Sequence, residues 1–470
     1  MSEVKPRGIS KSLVVIAVII ALIVGIVAGY FIKPTAPAEV KTETVIKTET
    51  KTILTTTKET LPTFNWRRYE GETICFGIRA APDADLYKEY IPKFEELTGI
   101  KVKYEIYTEE EYREKRLVDA SAGTGVFDVY FMDSTGTLIQ YIEAGWIEPL
   151  EPYIYDPTLT PPDFDINDFP LQQTTYNGKI YGIPVSVYPA ILYVRKDLLD
   201  EAGLSIPKTF KELEEAAKKL HNPPKVYGFV SRGKRGEGAN MWIFAAYFRS
   251  FGAKWLDEKY RPIFNSSEGI AAADYYARML REFGPPGVVN YHFSECCEAF
   301  ARGEVALWTE CQTFASVLED PTKSKVVGKV YYAPFFDVCD MFSWNLAINS
   351  ASKHKKAAWL FITWLASKEM DKILGVKVGV PARFSTLESP EFKKAFSPEK
   401  FPGFIEAVKH GMKVGIPDAR PRIKEWPEMG DIISAALCEV ITGEKTAKQA
   451  FDEAAKAVYD LLKASGRIKE

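Results

Sequence analysis

Residues 13–32 read LVVIAVIIALIVGIVAGYFI, an apolar run with no charge, followed by Lys33, Pro34 and a long Thr-rich tract. That length matches one helix across a hydrocarbon core of about 30 Å. Lys5, Arg7 and Lys11 precede the run, an asymmetry that keeps the start inside the cell and places everything after Lys33 outside. The tract from Val40 to Thr63 is dominated by Thr, Lys and Glu. Thr is a poor helix former, and little here can be buried, so the pattern predicts an extended, solvated stalk. A short coiled coil held by the alternating charges is the alternative.

Beyond the stalk the periodicity becomes that of a folded body. Thr73 to Ile78 reads as a first strand, and from Asp85 to Thr98 the residues Leu86, Tyr90, Phe94 and Leu97 share one helical side. Gly99 closes that helix, and IKVKYEIY follows as an alternating strand. Strand, helix and strand begin a βαβ layout. Phe127 to Asp133, FDVYFMD, predicts a buried strand that ends on an acid. Asn177-Gly178 predicts a tight turn between two short strands, and Thr209 an N-cap. In open α/β sheets ligands sit beyond the carboxyl ends of the strands, which nominates Met132, Asp133 and Ser134. The competing role for Asp133 is to cap a helix starting near Thr135.

Composition narrows the classes. Roughly four hundred residues of body exceed one ordinary core and predict two lobes. The net charge of −3, with both signs interspersed, excludes a nucleic-acid footprint. With 9 Trp, 24 Tyr and 28 Phe, rings beyond the needs of a core are available for ligands with apolar C–H faces. Six cysteines permit disulfides outside the cell, but their spacing has no CxxC. His292 four residues before Cys296 is the nearest approach to a ligand cluster. No metal and no cofactor is expected. Arg232-Gly233-Lys234-Arg235-Gly236-Glu237-Gly238 is glycine-rich but lacks the spacing of a phosphate loop.

Three fates of the first segment stand open. It is an uncleaved anchor, it is cut near Ala36-Pro37-Ala38, or it is cut after Gly8. Arg7-Gly8-Ile9-Ser10 resembles archaeal class III (pilin-type) signals, whose cut keeps the apolar helix. The first cysteine is Cys75, so there is no lipobox.

The stretch from Tyr176 to Leu220, YNGKIYGIPVSVYPAILYVRKDLLDEAGLSIPKTFKELEEAAKKL, resembles the middle segment of extracellular solute-binding proteins of ABC importers. The likeness is to the branch with maltose-, trehalose- and sugar-alcohol-binding members. GVFDVYFMDSTGTLIQYIEAGWIEPLEPY, FARGEVALWTE, KVVGKVYYAPF, SWNLAINSASKHKKAAWLFITWL and ARPRIKEWPEMGDIISAAL follow the family's order. The resemblance implies a two-lobe, periplasmic-binding-protein-like (type II) α/β fold with hinge strands, preceded by the transmembrane helix. The divisions implied are 1–33 anchor, 34–66 stalk, 67–186 plus 334–383 lobe 1, and 187–333 plus 384–470 lobe 2. Crossings between lobes map near Val185–Tyr188, Tyr332–Pro334 and Pro381–Arg383.

The implied function is capture of a carbohydrate or sugar alcohol in the cleft, on the outer face of the membrane, by a monomer that delivers it to a permease. Carried over by position, the contacts are Asp133, Ser134, Tyr188, Arg232, Glu237, Asn240, Trp242, Glu310, Trp344 and Arg420, with Arg422 a surface neighbour. Trp344 matches the Trp of a family Gly-Gly-Trp that stacks on a sugar; this chain has Phe342-Ser343 before it. Tyr188 stands where disaccharide binders have an acid, and Cys311 where some members have an aromatic. Two rivals remain: a tethered sensor or adhesin, and a glycoside hydrolase built on a carboxylate pair such as Asp133 and Glu310. HExxH, GxSxG and P-loop motifs are absent, so the sequence reads as a binding protein rather than an enzyme.

Overall fold

The computed structural model describes residues 63–336, 339–416 and 419–469. The apolar run at 13–32 and the stalk up to residue 62 lie outside the described residues, and among those no helix is long and apolar enough to cross a membrane. From Leu61 onward the chain forms one compact unit.

Its strands are β1 (Thr73–Arg79), β2 (Lys101–Tyr107), β3 (Val129–Asp133), β4 (Thr175–Tyr176), β5 (Lys179–Ile180), β6 (Ile183–Arg195), β7 (Tyr227–Val230), β8 (Val305–Cys311), β9 (Val330–Pro334), β10 (Cys339–Ile348) and β11 (Gly415–Ile416). Nine of them make one sheet in the order β2-β1-β3-β10-β6-β8-β7, with β11 added to β10 and β9 to β6. β1 runs parallel to β2 and β3, and β7 parallel to β8. β6 joins the two halves. Its first part pairs antiparallel with β10 up to Pro189, and from Ala190 to Arg195 it pairs with β8 and β9. One strand therefore serves both halves, and the expected crossings near Val185–Tyr188 and Tyr332–Pro334 fall on β6 and β9. Residues 381–383 form no strand; Arg383 is wholly buried and donates to Ala366 O at 2.8 Å and Asp168 at 3.1 Å.

Helices cover both faces of the sheet, which explains why its central strands lack alternation: β3 and β8 are buried at every residue. A continuous apolar core includes the fully buried Trp308, Trp359 and Trp426, and a smaller one gathers Cys75, Phe127, Tyr130, Met132 and Tyr141. The first helix spans Pro82–Thr98, starting earlier than its apolar period because proline fits a first turn. Gly99 closes it at φ 72°. Asn177 (φ 49°) and Gly178 (φ 76°) both take the left-handed conformation that a two-residue hairpin between β4 and β5 requires. Thr209 accepts from Glu212 N at 3.1 Å as the N-cap of Phe210–Leu220. Cys75, Cys296, Cys297, Cys311 and Cys438 are free thiols.

Candidate functional site

A cavity of about 690 Å³ opens where β3, β6, β8 and β10 end or cross. One wall grows from β3. Its last residue, Asp133, faces Trp344 across the antiparallel pairing with β10, and Phe342 faces Tyr188 across the pairing of β10 with β6. The β10–β6 register shifts between Trp344 and Asn345; a bulge re-aims side chains where it occurs. Trp344, Phe342 and Tyr188 then form a chain of rings, 5.4 Å and 5.7 Å between centroids. Trp344 is only 8% exposed, because one face lies on Phe131 at 4.9 Å and Arg79 sits 4.5 Å from its centroid.

Asp133 is 1% exposed, and its two oxygens divide the labour. Oδ1 accepts from Thr135 N at 3.3 Å and from the Thr135 hydroxyl, holding the start of the helix Gly136–Glu143. Oδ2 lies 3.6 Å from Arg113 and 3.9 Å from Arg116, and no hydrogen bond reaches it. Burial alone would raise this carboxyl; the two guanidinium groups and the Thr135 contacts outweigh it and hold the group below its ordinary value. Both cations come from the helix Glu109–Ala122, whose Thr108–Glu111 capping box fixes its start. Glu109 and Arg113, four residues apart, pair at 2.8 Å on the cavity rim.

The facing wall grows from β7 and the glycine-rich loop. Arg232 is buried and makes a bidentate pair with Glu310 of β8 at 2.7 and 2.5 Å, while its third branch donates to Gly238 O at 2.9 Å. Its guanidinium lies 4.7 Å from the Trp242 ring and 5.3 Å from that of Phe293. Gly233 is required in the loop, because a Cβ there would lie 2.1 Å from Val288 O. Asn240 anchors the loop, donating to Gly233 O at 3.2 Å and accepting from the Ser434 hydroxyl at 2.6 Å. Glu237 accepts from Arg420 at 2.8 Å and from Trp426 Nε1 at 2.5 Å, and Arg420 also contacts Asp340 at 2.8 Å. Burial raises the Asp340 carboxyl, with Arg420 opposing. His292, at the cavity edge, is pushed down to about 4 by burial and by Arg232. The Cys311 thiol is pushed up to about 12, mainly by burial. Among the described residues, no group of three or more His, Cys, Asp or Glu side chains could hold a metal ion.

The family model of the bacterial extracellular solute-binding protein matches residues 80–372. The chain belongs to this family. The mannitol-binding protein of Pseudomonas aeruginosa is 28% identical over 400 residues, covering 79% of this chain and 88% of its own. The solute-binding protein of Agrobacterium radiobacter K84 in complex with ribitol is 29% identical, TM-score 0.71, covering 83% of this chain and 99% of its own. The maltose-bound MalE3 of T. maritima is 25% identical, TM-score 0.69, covering 83% of this chain and all of its own. The fold is thus the two-domain α/β fold of periplasmic binding proteins, and the family comprises ABC-transporter binding proteins, not enzymes.

Of the residues nominated from the sequence of this solute-binding protein, Asp133, Tyr188, Arg232, Glu237, Trp242, Trp344 and Arg420 line the cavity. Ser134, Asn240 and Glu310 do not. The Ser134 hydroxyl accepts from Ser343 N at 3.0 Å and staples β3 to β10. Asn240 is spent on the loop, and Glu310, 0% exposed, is sequestered by Arg232, which removes the Asp133–Glu310 pair as a hydrolytic couple. Arg422 is no surface neighbour: its guanidinium donates to Thr175 O at 2.6 Å and Gln173 O at 3.2 Å. Phe342 adds a ring to the cavity lining.

Sequence reasoning missed Glu109, Arg113, Thr135, His292, Phe293 and Phe314, all of which line the cavity. The four-residue spacing of Glu109 and Arg113 on one helical face was a usable signal. For Phe293, the first residue of the helix Phe293–Ala301, there was none.

Proposed function

We propose that this protein is the membrane-tethered, extracellular binding subunit of an ABC importer and captures a neutral carbohydrate or sugar alcohol between its lobes. The single observation that carries the ligand class is Asp133 Oδ2, a buried carboxylate oxygen without a hydrogen bond at the wall of a ring-lined cavity. Such an oxygen costs free energy until a donor reaches it. A ligand hydroxyl supplies the donor, and the rings of Tyr188, Phe342 and Trp344 offer apolar surface to C–H faces. The mannitol, ribitol and maltose named for the relatives agree with that chemistry.

Around it stand the further parts of the reading. Residues 13–32 anchor the chain, intact or after a cut behind Gly8, and the Thr-rich tract spaces the body from the membrane. Lobe 1 is 67–186 with 334–383, and lobe 2 is 187–333 with 384–470. Closure of the lobes on the ligand, a hinge motion about β6, is the signal a permease reads, and a monomer suffices.

Thermal unfolding of residues 61–470, the compact unit, against sugars, polyols, amines and peptides tests it. A ligand at 100 times its Kd stabilises by about 2.7 kcal/mol. The expected result is a shift with at least one carbohydrate and none with polyamines. Silence across every carbohydrate removes the assignment.

A further inference from the structure

We propose that Glu109 and Lys234 are the two halves of a latch: when the lobes close they pair across the mouth of the cavity, and so set affinity without touching the ligand. This rests on the carbohydrate reading and the lobe division above, and goes beyond them by naming the residues that hold the closed state.

The two lobes already meet along one seam. Arg422 donates to Thr175 O at 2.6 Å and to Gln173 O at 3.2 Å, Gln173 donates to Ile416 O at 3.1 Å, and Arg467 pairs with Glu143 at 3.1 Å. Gly136 lets the helix it begins lie against the helix Trp426–Thr442, since a Cβ there would be 3.1 Å from Pro427 Cδ. The cavity walls differ. Glu109 and Arg113 line it from lobe 1, and Lys234, Arg235 and Glu237 line it from lobe 2. Among the described residues, no hydrogen bond or ion pair joins the first set to the second.

Each set keeps unused bonding capacity. Both bonds from Arg113 end on Glu109 Oε1, at 3.1 and 2.8 Å, which leaves Oε2 without a partner on a side chain that is 48% exposed. Arg420 and Trp426 both end on Glu237 Oε1, which leaves its Oε2 in the same state. Lys234 is exposed and has no ion-pair partner among the described residues. Arg235 is taken by Asp431 at 2.6 Å.

The order of the charges is complementary. Along the helix Glu109–Ala122 a carboxylate precedes a guanidinium by one turn, and along the loop the Lys234 ammonium precedes the Glu237 carboxylate. Burial lowers the Arg113 pKa, but Asp133, Glu109 and, from the other lobe, Glu237 outweigh it and hold the guanidinium above its ordinary value. Arg113 therefore faces Glu237, which leaves Glu109 for Lys234. The opposite register would set Arg113 against Lys234 and Glu109 against Glu237, and like charges facing across an interface are unfavourable.

Both halves stand on fixed backbone. The Thr108–Glu111 capping box holds the first turn around Glu109. Lys234 N donates to Tyr291 O at 2.9 Å, and Lys234 O accepts from Asn240 N at 3.0 Å. Closure then has little left to order beyond the two side chains.

The test uses the full chain in a detergent without a sugar head group, with mannitol, ribitol and maltose as probes. A water-soluble carbodiimide joins a carboxylate to an amine where the two are in contact, and mass spectrometry of the digest reports a Glu109–Lys234 amide. That amide should form with the sugar that binds and be several-fold weaker without it. In calorimetric titration of the same sugar, Glu109→Gln and Lys234→Gln should each weaken Kd by about two- to fivefold. The double variant should be no weaker than either single one, and Lys234→Arg should keep wild-type affinity. Wild-type affinity should fall between about 0.05 M and about 1 M NaCl while that of the double variant stays level, because a neutral ligand brings no charge of its own. Additive losses, which separate contacts with the ligand would give, overturn the latch while carbohydrate capture stands. Absence of the amide both with and without every sugar overturns it as well. No binding of any sugar overturns carbohydrate capture, and the amide in the sugar-free chain then decides the latch by itself, its presence in favour and its absence against.

Discussion

Asp133→Asn is the substitution on which the site's chemistry turns. It keeps Oδ1 as acceptor for Thr135 but replaces the unsatisfied Oδ2 with an amide NH2. A ligand hydroxyl that donated to the carboxylate must then turn to accept from the amide, and the charge-assisted bond is lost. A hydrogen bond to a charged group contributes about 1.5–3 kcal/mol, so the loss corresponds to roughly 10- to 150-fold in Kd. The same change strips a carboxylate from Arg113 at 3.6 Å and Arg116 at 3.9 Å. Arg113 keeps Glu109, but Arg116 is 1% exposed and Asp133 is its one ion-pair partner among the described residues. Breaking a buried pair from one side costs up to about 3–5 kcal/mol, and with Arg113 still paired about 2–4 kcal/mol is expected here. Urea unfolding reads that loss, and calorimetry at a temperature where the variant is folded reads the affinity.

The pH dependence has a definite sign. The Asp133 carboxyl is held below its ordinary value of 3.8, so its contribution to stability is complete above that pH and is lost as pH falls through the depressed native value. The wild type should lose this increment on the acid side, and Asp133→Asn should not. A folded Asp133→Asn protein that binds its best sugar as tightly as wild type would refute the assignment of Oδ2 to a ligand hydroxyl.

Three further outcomes are expected. Glu310→Gln leaves the Arg232 guanidinium buried without its carboxylate, and should cost about 3–5 kcal/mol in urea unfolding. Asn240→Ala removes the tie between Gly233 O and the Ser434 hydroxyl; about 1–3 kcal/mol of stability should go, read as a lower Tm with ligand contacts intact in the folded fraction. His292 is neutral in the native state, held down to about 4, so its contribution is present above the ordinary value of 6.5 and is lost as pH falls toward 4. After solvent screening that is worth about 1–2 kcal/mol, and His292→Gln should flatten stability against pH in that window.

Much of the fold was legible because it rests on local rules. Gly99 and the Asn177-Gly178 turn require positive φ, Thr209 offers a cap, and the run ending at Asp133 is apolar on both faces. Cavity residues were legible where they sit at strand ends, as Asp133 does, or in a family-ordered segment, as Trp344 and Arg420 do. Ser134, Asn240 and Glu310 went astray for a shared reason. A polar residue next to a site in sequence has two ways to be satisfied, by ligand or by protein, and composition cannot distinguish them. Here β10, the Gly233 carbonyl and Arg232 claim them first. Phe293 was invisible because only tertiary packing of its helix brings it to the cavity, whereas Arg113 left a trace in its four-residue spacing from Glu109.

The charges around the cavity argue for a neutral ligand on grounds that the sequence alone did not supply. Two unpaired arginines reaching a cleft would repel a cation and invite an anion. Yet Arg232 is matched by Glu310, Arg420 by Glu237 and Asp340, Arg235 by Asp431, and Arg113 with Arg116 by Glu109 with Asp133. Each of these arginines already spends its field on a carboxylate within about 4 Å, where the interaction is strongest, whereas the exposed Lys234 at the cavity has no ion-pair partner among the described residues. An anionic ligand would have to compete with those partners at every arginine and finds only the solvated Lys234 unpaired, and a cationic one would have to displace a guanidinium from Asp133. Apart from the solvated Lys234, what remains free is directional: a carboxylate lone pair and the surfaces of rings. Hydroxyl groups on an apolar carbon frame answer both without adding charge, which is why a carbohydrate fits this cavity better than an amine.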